Sequence, residues 1–169
     1  MSKIRFTEPN REILARRDSI INDLTRLVDP AGLITSTDEC RAYETDALTA
    51  YRKMPLAVVL PKTTEEVSAV LKYCHDTGVK VVPRGAGTSL AGGAIPSEDA
   101  VVLGLSKMNR VLAVNYDDRF IRVEAGVTNL SVTAVVAENG FFYAPDPSSQ
   151  LACTIGGNIA NNSGGAHCL

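Results

Sequence analysis

The sequence predicts an α+β domain with mixed strand directions, its sheets flanked by helices. Three observations carry that expectation. Leu56-Ala57-Val58-Val59-Leu60 is a short continuous apolar run of the kind that fills a strand buried on both faces. A helical pattern with clear start and stop signals follows it and leads into a second apolar run at 79–82, which makes a strand, helix, strand unit. Further on, Ile121 and Val123 alternate with Arg122 and Glu124, the period of a strand with one buried face.

Taken in order, residues 9–28 place Ile13, Ile20, Ile21, Leu24, Leu27 and Val28 along one side of a helix, which Asp29-Pro30-Ala31-Gly32 stops. Residues 33–55 show weak periodicity and read as a connector draped over the domain. After the strand at 56–60, Thr63 and Glu66 form a capping box. Val67, Val70, Leu71 and Cys74 then recur at helical spacing until Asp76-Thr77-Gly78. The geometry expected of this unit is a right-handed parallel crossover. Residues 100–103 read as another strand, and residues 110–116 with 120–125 as a hairpin turning at Asp117-Asp118-Arg119. Thr128 is placed to cap a last helix carrying Val132, Val135 and Val136, closed by Asn139-Gly140. The expected division is an N-terminal helix and connector over 1–55 and a ligand-binding domain over 56–169.

Composition narrows the function classes. The 169 residues are 45% hydrophobic and 21% charged with a formal net charge of −2, an ordinary globular balance. The scattered Lys and Arg residues lack the basic stripe of a nucleic-acid binder. Residues 1–17 lack the apolar core of a signal peptide, and no run reaches the length of a membrane span. Cys40, Cys74, Cys153 and Cys168 are far apart with no CxxC pairing, so buried thiols in a reducing compartment are expected rather than disulfides or zinc. A cytoplasmic location follows, compatible with a peripheral position at the inner face of the membrane.

Two loops carry the chemistry. Pro83-Arg84-Gly85-Ala86-Gly87-Thr88-Ser89-Leu90-Ala91-Gly92-Gly93 leaves a strand directly. Its glycines let successive N–H groups face one concavity that suits an anion such as a pyrophosphate, and the Thr88 and Ser89 hydroxyls add donors. A GxGxxG loop starting at Gly85 would need glycine where Leu90 stands, and a Walker A loop would need a Gly-Lys-Ser/Thr ending. A purely structural glycine-rich turn is the competing reading. The second loop runs from Tyr143 through Pro145, Asp146, Ser149, Cys153, Thr154, Ile155, Gly156, Gly157 and Asn158 to Ser163, Gly164 and Gly165. It carries few bulky side chains after Ile155 and many neutral donors and acceptors, a surface suited to a large planar heterocycle.

Together, Val-Val-Pro-Arg-Gly-Ala-Gly-Thr-Ser-Leu-Ala-Gly-Gly, Ala-Pro-Asp-Pro-Ser-Ser and Ile-Gly-Gly-Asn-Ile-Ala-Asn-Asn-Ser-Gly-Gly resemble the FAD-linked oxidases of the vanillyl-alcohol oxidase type. These have a PCMH-type FAD-binding domain, and the resemblance is strongest to the branch of the glycolate oxidase FAD subunit and D-lactate dehydrogenase. It implies that the loop of Arg84, Gly85, Ala86, Gly87, Thr88 and Ser89, with Gly92, binds the FAD pyrophosphate. It implies that Pro145, Asp146 and Ser149, then Cys153 to Asn158 and Ser163 to Gly165, lie along the pyrophosphate, ribityl chain and isoalloxazine. Members that attach flavin covalently often use a histidine where this sequence has Thr88, so non-covalent FAD is expected. The resemblance further implies oxidation of a small-molecule 2-hydroxy acid, glycolate or D-lactate, by hydride transfer to flavin N5, and partner subunits of a glycolate oxidase complex.

Relatives of this kind continue into a substrate domain, so the sequence reads as the N-terminal part of such an enzyme. It is expected to hold FAD and to be inactive alone. His167 shows no carboxylate partner in the sequence and is not expected to be catalytic; His75, near a helix end, is expected at the surface. Arg84 is either a phosphate clamp or a structural ion pair. Tyr43, Glu44, Asp46 and Tyr51 are expected to pack and hydrogen-bond within the connector rather than form a site.

Overall fold

The structure is a computed structural model and describes residues 7–167. Cys168, and the first six residues of the stretch read for a signal peptide, lie outside the described residues. A four-stranded sheet forms the centre, in the order β1 (Leu33–Ile34), β2 (Ala57–Val59), β4 (Ala100–Gly104), β3 (Lys80–Arg84). β2, β4 and β3 run parallel, whereas β1 pairs antiparallel with β2. The continuous apolar runs behave as expected for strands covered on both faces: Ala57, Val58, Val59, Val101 and Val102 are all fully buried. Each valine so buried contributes about 1.5–3 kcal/mol. The crossover differs from the simplest expectation, because β4 lies between β2 and β3. β2 and β4 hold the two interior places of the sheet, and all five residues of β4, Ala100 to Gly104, are buried there.

The helix α4 (Thr64–Thr77) has the termini that its sequence signals. Thr63 Oγ1 accepts the Glu66 N–H at 3.2 Å, and Gly78 closes the helix in the left-handed region at φ 72°. The returning half of the capping box shifts by one residue, since the Glu66 carboxylate takes the N–H of Lys62 at 2.6 Å. Val70 and Cys74 are buried, while Leu71 is exposed.

The N-terminal helix is shorter than its periodicity predicts and is broken in two. α1 (Arg11–Ala15) and α2 (Arg17–Leu24) meet at Arg16, whose N–H bonds back to Ile13 O at 3.1 Å, a tightened turn that re-aims the second segment. Ile13, Ile20, Leu24 and Val28 still reach the core, where they pack with Val59, Val70 and Val101, so the core draws on both sides of residue 55. The connector is more ordered than expected: it holds β1, the short α3 (Thr37–Cys40) and a 3₁₀ turn over Arg41–Tyr43. Cys40, Cys74 and Cys153 are buried free thiols, as the sequence predicts, and burial pushes the Cys74 thiol up to about 11.

Asp99 ties these layers together. It is 1% exposed, and its Oδ2 accepts the Asn10 N–H at 2.9 Å and the Lys80 ammonium at 2.8 Å. Burial alone would push its pKa up, but the hydrogen bond from Lys80, with those from Ser97 and Asn10, outweighs burial and brings it to about 2. A carboxyl depressed in the folded state stabilises above its unfolded pKa of 3.8 and loses that contribution as pH falls toward about 2. Asp99→Asn is therefore expected to cost about 2 kcal/mol at pH 7 and to flatten acid unfolding between about pH 4 and 2. Urea melts of both proteins across that range test it; equal pH slopes would contradict the assignment.

β5 (Val111–Asn115) and β6 (Phe120–Val123) form the expected hairpin. Its turn is fixed by Arg119 at φ 54° and by Asn115 Oδ1, which accepts the Asp118 N–H at 2.8 Å. Ile121 and Val123 face a second core with Val127, Val132 and Ile155. Thr128 stands at the N-cap of α5 (Asn129–Val136), but its hydroxyl meets Ser131 Oγ at 2.6 Å instead of a backbone N–H. Gly140 ends the following 3₁₀ turn at φ 76°. Among the described residues no helix is long and apolar enough to cross a membrane.

Candidate FAD-binding site

The first glycine-rich loop leaves the C-terminal end of β3, beside the end of β4, where ligand clefts of parallel sheets form. Its shape is held from behind by the connector. Asp46, 3% exposed, uses Oδ2 to accept the Gly92 N–H at 2.8 Å and Oδ1 to accept the Leu48 N–H at 3.1 Å. The Ala47 N–H also donates to Ser89 O at 3.1 Å. Asp46 does bond within the connector, as expected, but its second bond shapes the cofactor loop, a link that spacing along the chain gives no means to find.

The second loop is stitched to the segment that leaves the hairpin. Ile155 and Gly156 donate their N–H groups to Val127 O and Ala125 O, each at 2.9 Å, and the Asn129 N–H reaches Cys153 O at 2.9 Å. Thr154 then caps α6 (Ile155–Ala160), its hydroxyl accepting the Gly157 N–H at 3.3 Å. The two loops meet at Gly85, where a Cβ would stand 2.6 Å from Thr154 Oγ1. Only glycine lets the walls approach this closely.

Between them lies a cleft of about 360 Å³. Arg84, Gly85, Ala86, Gly87, Thr88 and Ser89 line one side; Ser149, Cys153, Thr154, Gly156, Gly157, Asn158 and Ser163 line the other. The remaining candidates do not line it. Gly92 is engaged by Asp46, Ile155 is buried in the second core, and Pro145 O accepts the Asn129 amide at 3.0 Å. Asp146, Gly164 and Gly165 form a clasp: the Asp146 N–H donates to Gly164 O at 2.9 Å, and Asp146 bridges to Gly165 in parallel register. Leu105 and Ala125 also line the cleft. As plain apolar residues next to strand ends, they carried no signal in the sequence.

His167 has a carboxylate partner after all. Its Nδ1 lies 2.6 Å from Asp146 Oδ2 and its N–H donates to Asp146 Oδ1 at 3.0 Å, bonds that hold the Asp146 carboxyl below its ordinary range. A separation of 21 positions along the chain hid this pairing. Among the described residues Arg84 forms no ion pair, and its guanidinium is engaged by backbone carbonyls. Its Nη1 donates to Thr45 O at 2.7 Å and Ala94 O at 3.3 Å, and burial lowers its pKa against the opposing pull of Tyr43 and Asp46.

The chemistry of the walls fits a dinucleotide. Among the described residues the backbone N–H groups of Ala86, Gly87, Thr88 and Ser89 meet no acceptor, a run of free donors suited to phosphate oxygens. Asn158, 6% exposed on the opposite wall, carries an amide nitrogen with no hydrogen-bond partner. Residues 55–169 match the FAD binding domain family.

The chain belongs to that family. FAD is its cofactor, and its architecture is that of the PCMH-type FAD-binding domains. The chain is 48% identical over 153 residues to the glycolate oxidase subunit GlcD of Escherichia coli strain K12, covering 90% of this chain and 31% of that protein. It is 44% identical over 127 residues to GlcD of Bacillus subtilis, covering 75% and 27%. A D-lactate dehydrogenase of Archaeoglobus fulgidus is 38% identical over 152 residues, covering 89% and 33%. The chain thus spans about a third of the length of the curated relatives it matches. Among solved structures, alkyldihydroxyacetonephosphate synthase aligns with a TM-score of 0.75 at 20% identity, over 93% of this chain and 30% of that one. p-Cresol methylhydroxylase aligns with a TM-score of 0.72 at 21% identity, over 89% and 30%. At these identities the likeness speaks for the fold alone.

Proposed function

We propose that this chain is the FAD-holding portion of an oxidoreductase that converts a 2-hydroxy acid, glycolate or D-lactate, to the 2-oxo acid, and that it holds FAD without a covalent bond. The observation that carries the reading is the cleft itself: free amides on one wall, small residues and neutral hydrogen-bonding groups on the other, in a chain of this family. When bound, FAD would supply the two-electron acceptor, a flavin able to accept hydride from the substrate α-carbon.

The chain's own residues then bind and orient. The Ala86 to Ser89 amides and the Thr88 and Ser89 hydroxyls take the pyrophosphate, while Ser149, Asn158 and Ser163 offer neutral groups to the rest of the cofactor. Gly85 and Gly156 keep the walls close, and Asp46 keeps the loop in shape from behind. Thr88 leaves no nucleophilic ring nitrogen at the position where covalent attachment would be made. No residue lining the cleft is placed here as the base for the substrate hydroxyl proton; that role, the choice of hydroxy acid and contacts with partner subunits are assigned to the longer enzyme. The reading of a flavin-binding unit without turnover of its own follows from the same division.

The purified chain is expected to show the visible absorption of bound flavin and to release it completely on denaturation. Glycolate or D-lactate is expected not to bleach it. A colourless protein that fails to take up added FAD would overturn the cofactor reading, flavin remaining with the denatured chain would overturn the non-covalent one, and rapid bleaching would show that the substrate machinery lies within these residues.

A further inference from the structure

The Arg84 guanidinium occupies an unusual place. Arg84 is 9% exposed and ends β3, and its side chain folds back beneath the cofactor loop. A Cβ at Gly87 would stand 2.2 Å from Arg84 Nη2 and 2.5 Å from Cζ, so the cation lies directly against the loop backbone. Its hydrogen bonds go to the neutral carbonyls of Thr45 and Ala94, and its Cζ sits 5.6 Å from the centre of the Tyr43 ring. Among the described residues it forms no ion pair. The nearby Asp46 has both carboxylate oxygens committed to the N–H groups of Leu48 and Gly92.

A buried cation that lacks a bonded anion is costly, and the guanidinium stays charged at any working pH. Its field is weakly screened inside the protein and extends through the thin backbone of Gly87. The residues just above it, Ala86 to Ser89, carry the free amides and line the cleft. We infer that Arg84 is an electrostatic positioning residue, which charges the glycine loop from beneath and makes the cleft select a diphosphate-bearing flavin over an uncharged one without touching the ligand. The inference rests on the proposal that the loop takes the FAD pyrophosphate. It replaces a clamp by a counter-charge, so it predicts discrimination among flavins rather than simple loss of binding.

The test is titration of the 169-residue chain with FAD and with riboflavin, followed by flavin fluorescence, for the native protein and for Arg84→Met, Arg84→Gln and Arg84→Lys. The neutral variants are expected to weaken FAD about tenfold while riboflavin stays within about twofold, and Arg84→Lys is expected to keep the native FAD-to-riboflavin ratio. Equal losses for both ligands would reduce Arg84 to a structural brace and overturn the inference, as would an unchanged ratio. Unfolding of both neutral variants would overturn it as well, since the charge would then belong to the fold and not to the cradle. A native protein that binds neither flavin fails at the earlier step and takes the cofactor reading with it.

Discussion

Replacing Gly126 by alanine is expected to destabilise the protein by about 3 kcal/mol, among the largest effects of any single methyl group in the molecule. Gly126 lies where the hairpin's exit passes over the turn after β4. Its N–H donates to Met108 O at 2.7 Å, and a Cβ would stand 2.2 Å from Leu105 O and 2.7 Å from Met108 O. Both obstructing atoms are backbone, so no rotamer change relieves the overlap and the segments must separate. Separation would pull Ala125 and Val127 away from Gly156 and Ile155, whose N–H groups they accept. A control is Gly140→Ala: its φ of 76° carries strain of about 1–2 kcal/mol, but nothing lies within 4 Å of the added atom. Thermal melts of the two variants decide the matter. If Gly126→Ala melts no lower than Gly140→Ala, the close approach is not a stability determinant.

Gly165→Ala is expected to act on the cofactor instead. At φ 81° alanine is strained, and its Cβ would lie 2.3 Å from the Asp146 carbonyl carbon and 2.5 Å from Asp146 Oδ1. The bridge between residues 146 and 165 would open, and with it the Asp146 N–H bond to Gly164 O and the carboxylate's hold on His167. Ser163, on the cleft wall, would lose the support of the clasp while keeping its N–H bond to Asn158 O at 2.8 Å. FAD affinity is expected to fall tenfold or more, about 1.4 kcal/mol or above, with a much smaller change in melting temperature than Gly126→Ala produces. Flavin fluorescence titration reads the first and circular dichroism the second. An affinity within about twofold of the native value would show that the clasp does not shape the site.

Much of this molecule was legible from local sequence because its signals are local. The helix over Thr64–Thr77 is set by Thr63, Glu66 and Gly78, all within or beside the element. The hairpin is set by its alternation and by the Asn115 to Arg119 turn. The two glycine-rich loops stood out because both depart from an ordinary mix of side chains. What local signals missed was contact between distant segments. The insertion of β4 between β2 and β3 and the 146–167 clasp each depend on partners that spacing along the chain does not reveal.

Gly126 illustrates the difference. It lies outside both glycine-rich loops, with no neighbouring glycine to draw attention to it, yet it is packed against two carbonyls from the turn after β4. Gly78, clearly marked as a helix stop, would meet nothing on gaining a methyl group. The sequence by itself determined that this protein builds strands buried on both faces, a capped helix and two loops with the chemistry of a dinucleotide cradle, because periodicity, capping and backbone freedom are properties of neighbours in the chain. Only the tertiary structure decided which residues line the cleft, which brace it from behind, and where the Arg84 charge comes to rest, because burial and hydrogen bonding between residues 39 or more positions apart exist only once the sheet has brought them together.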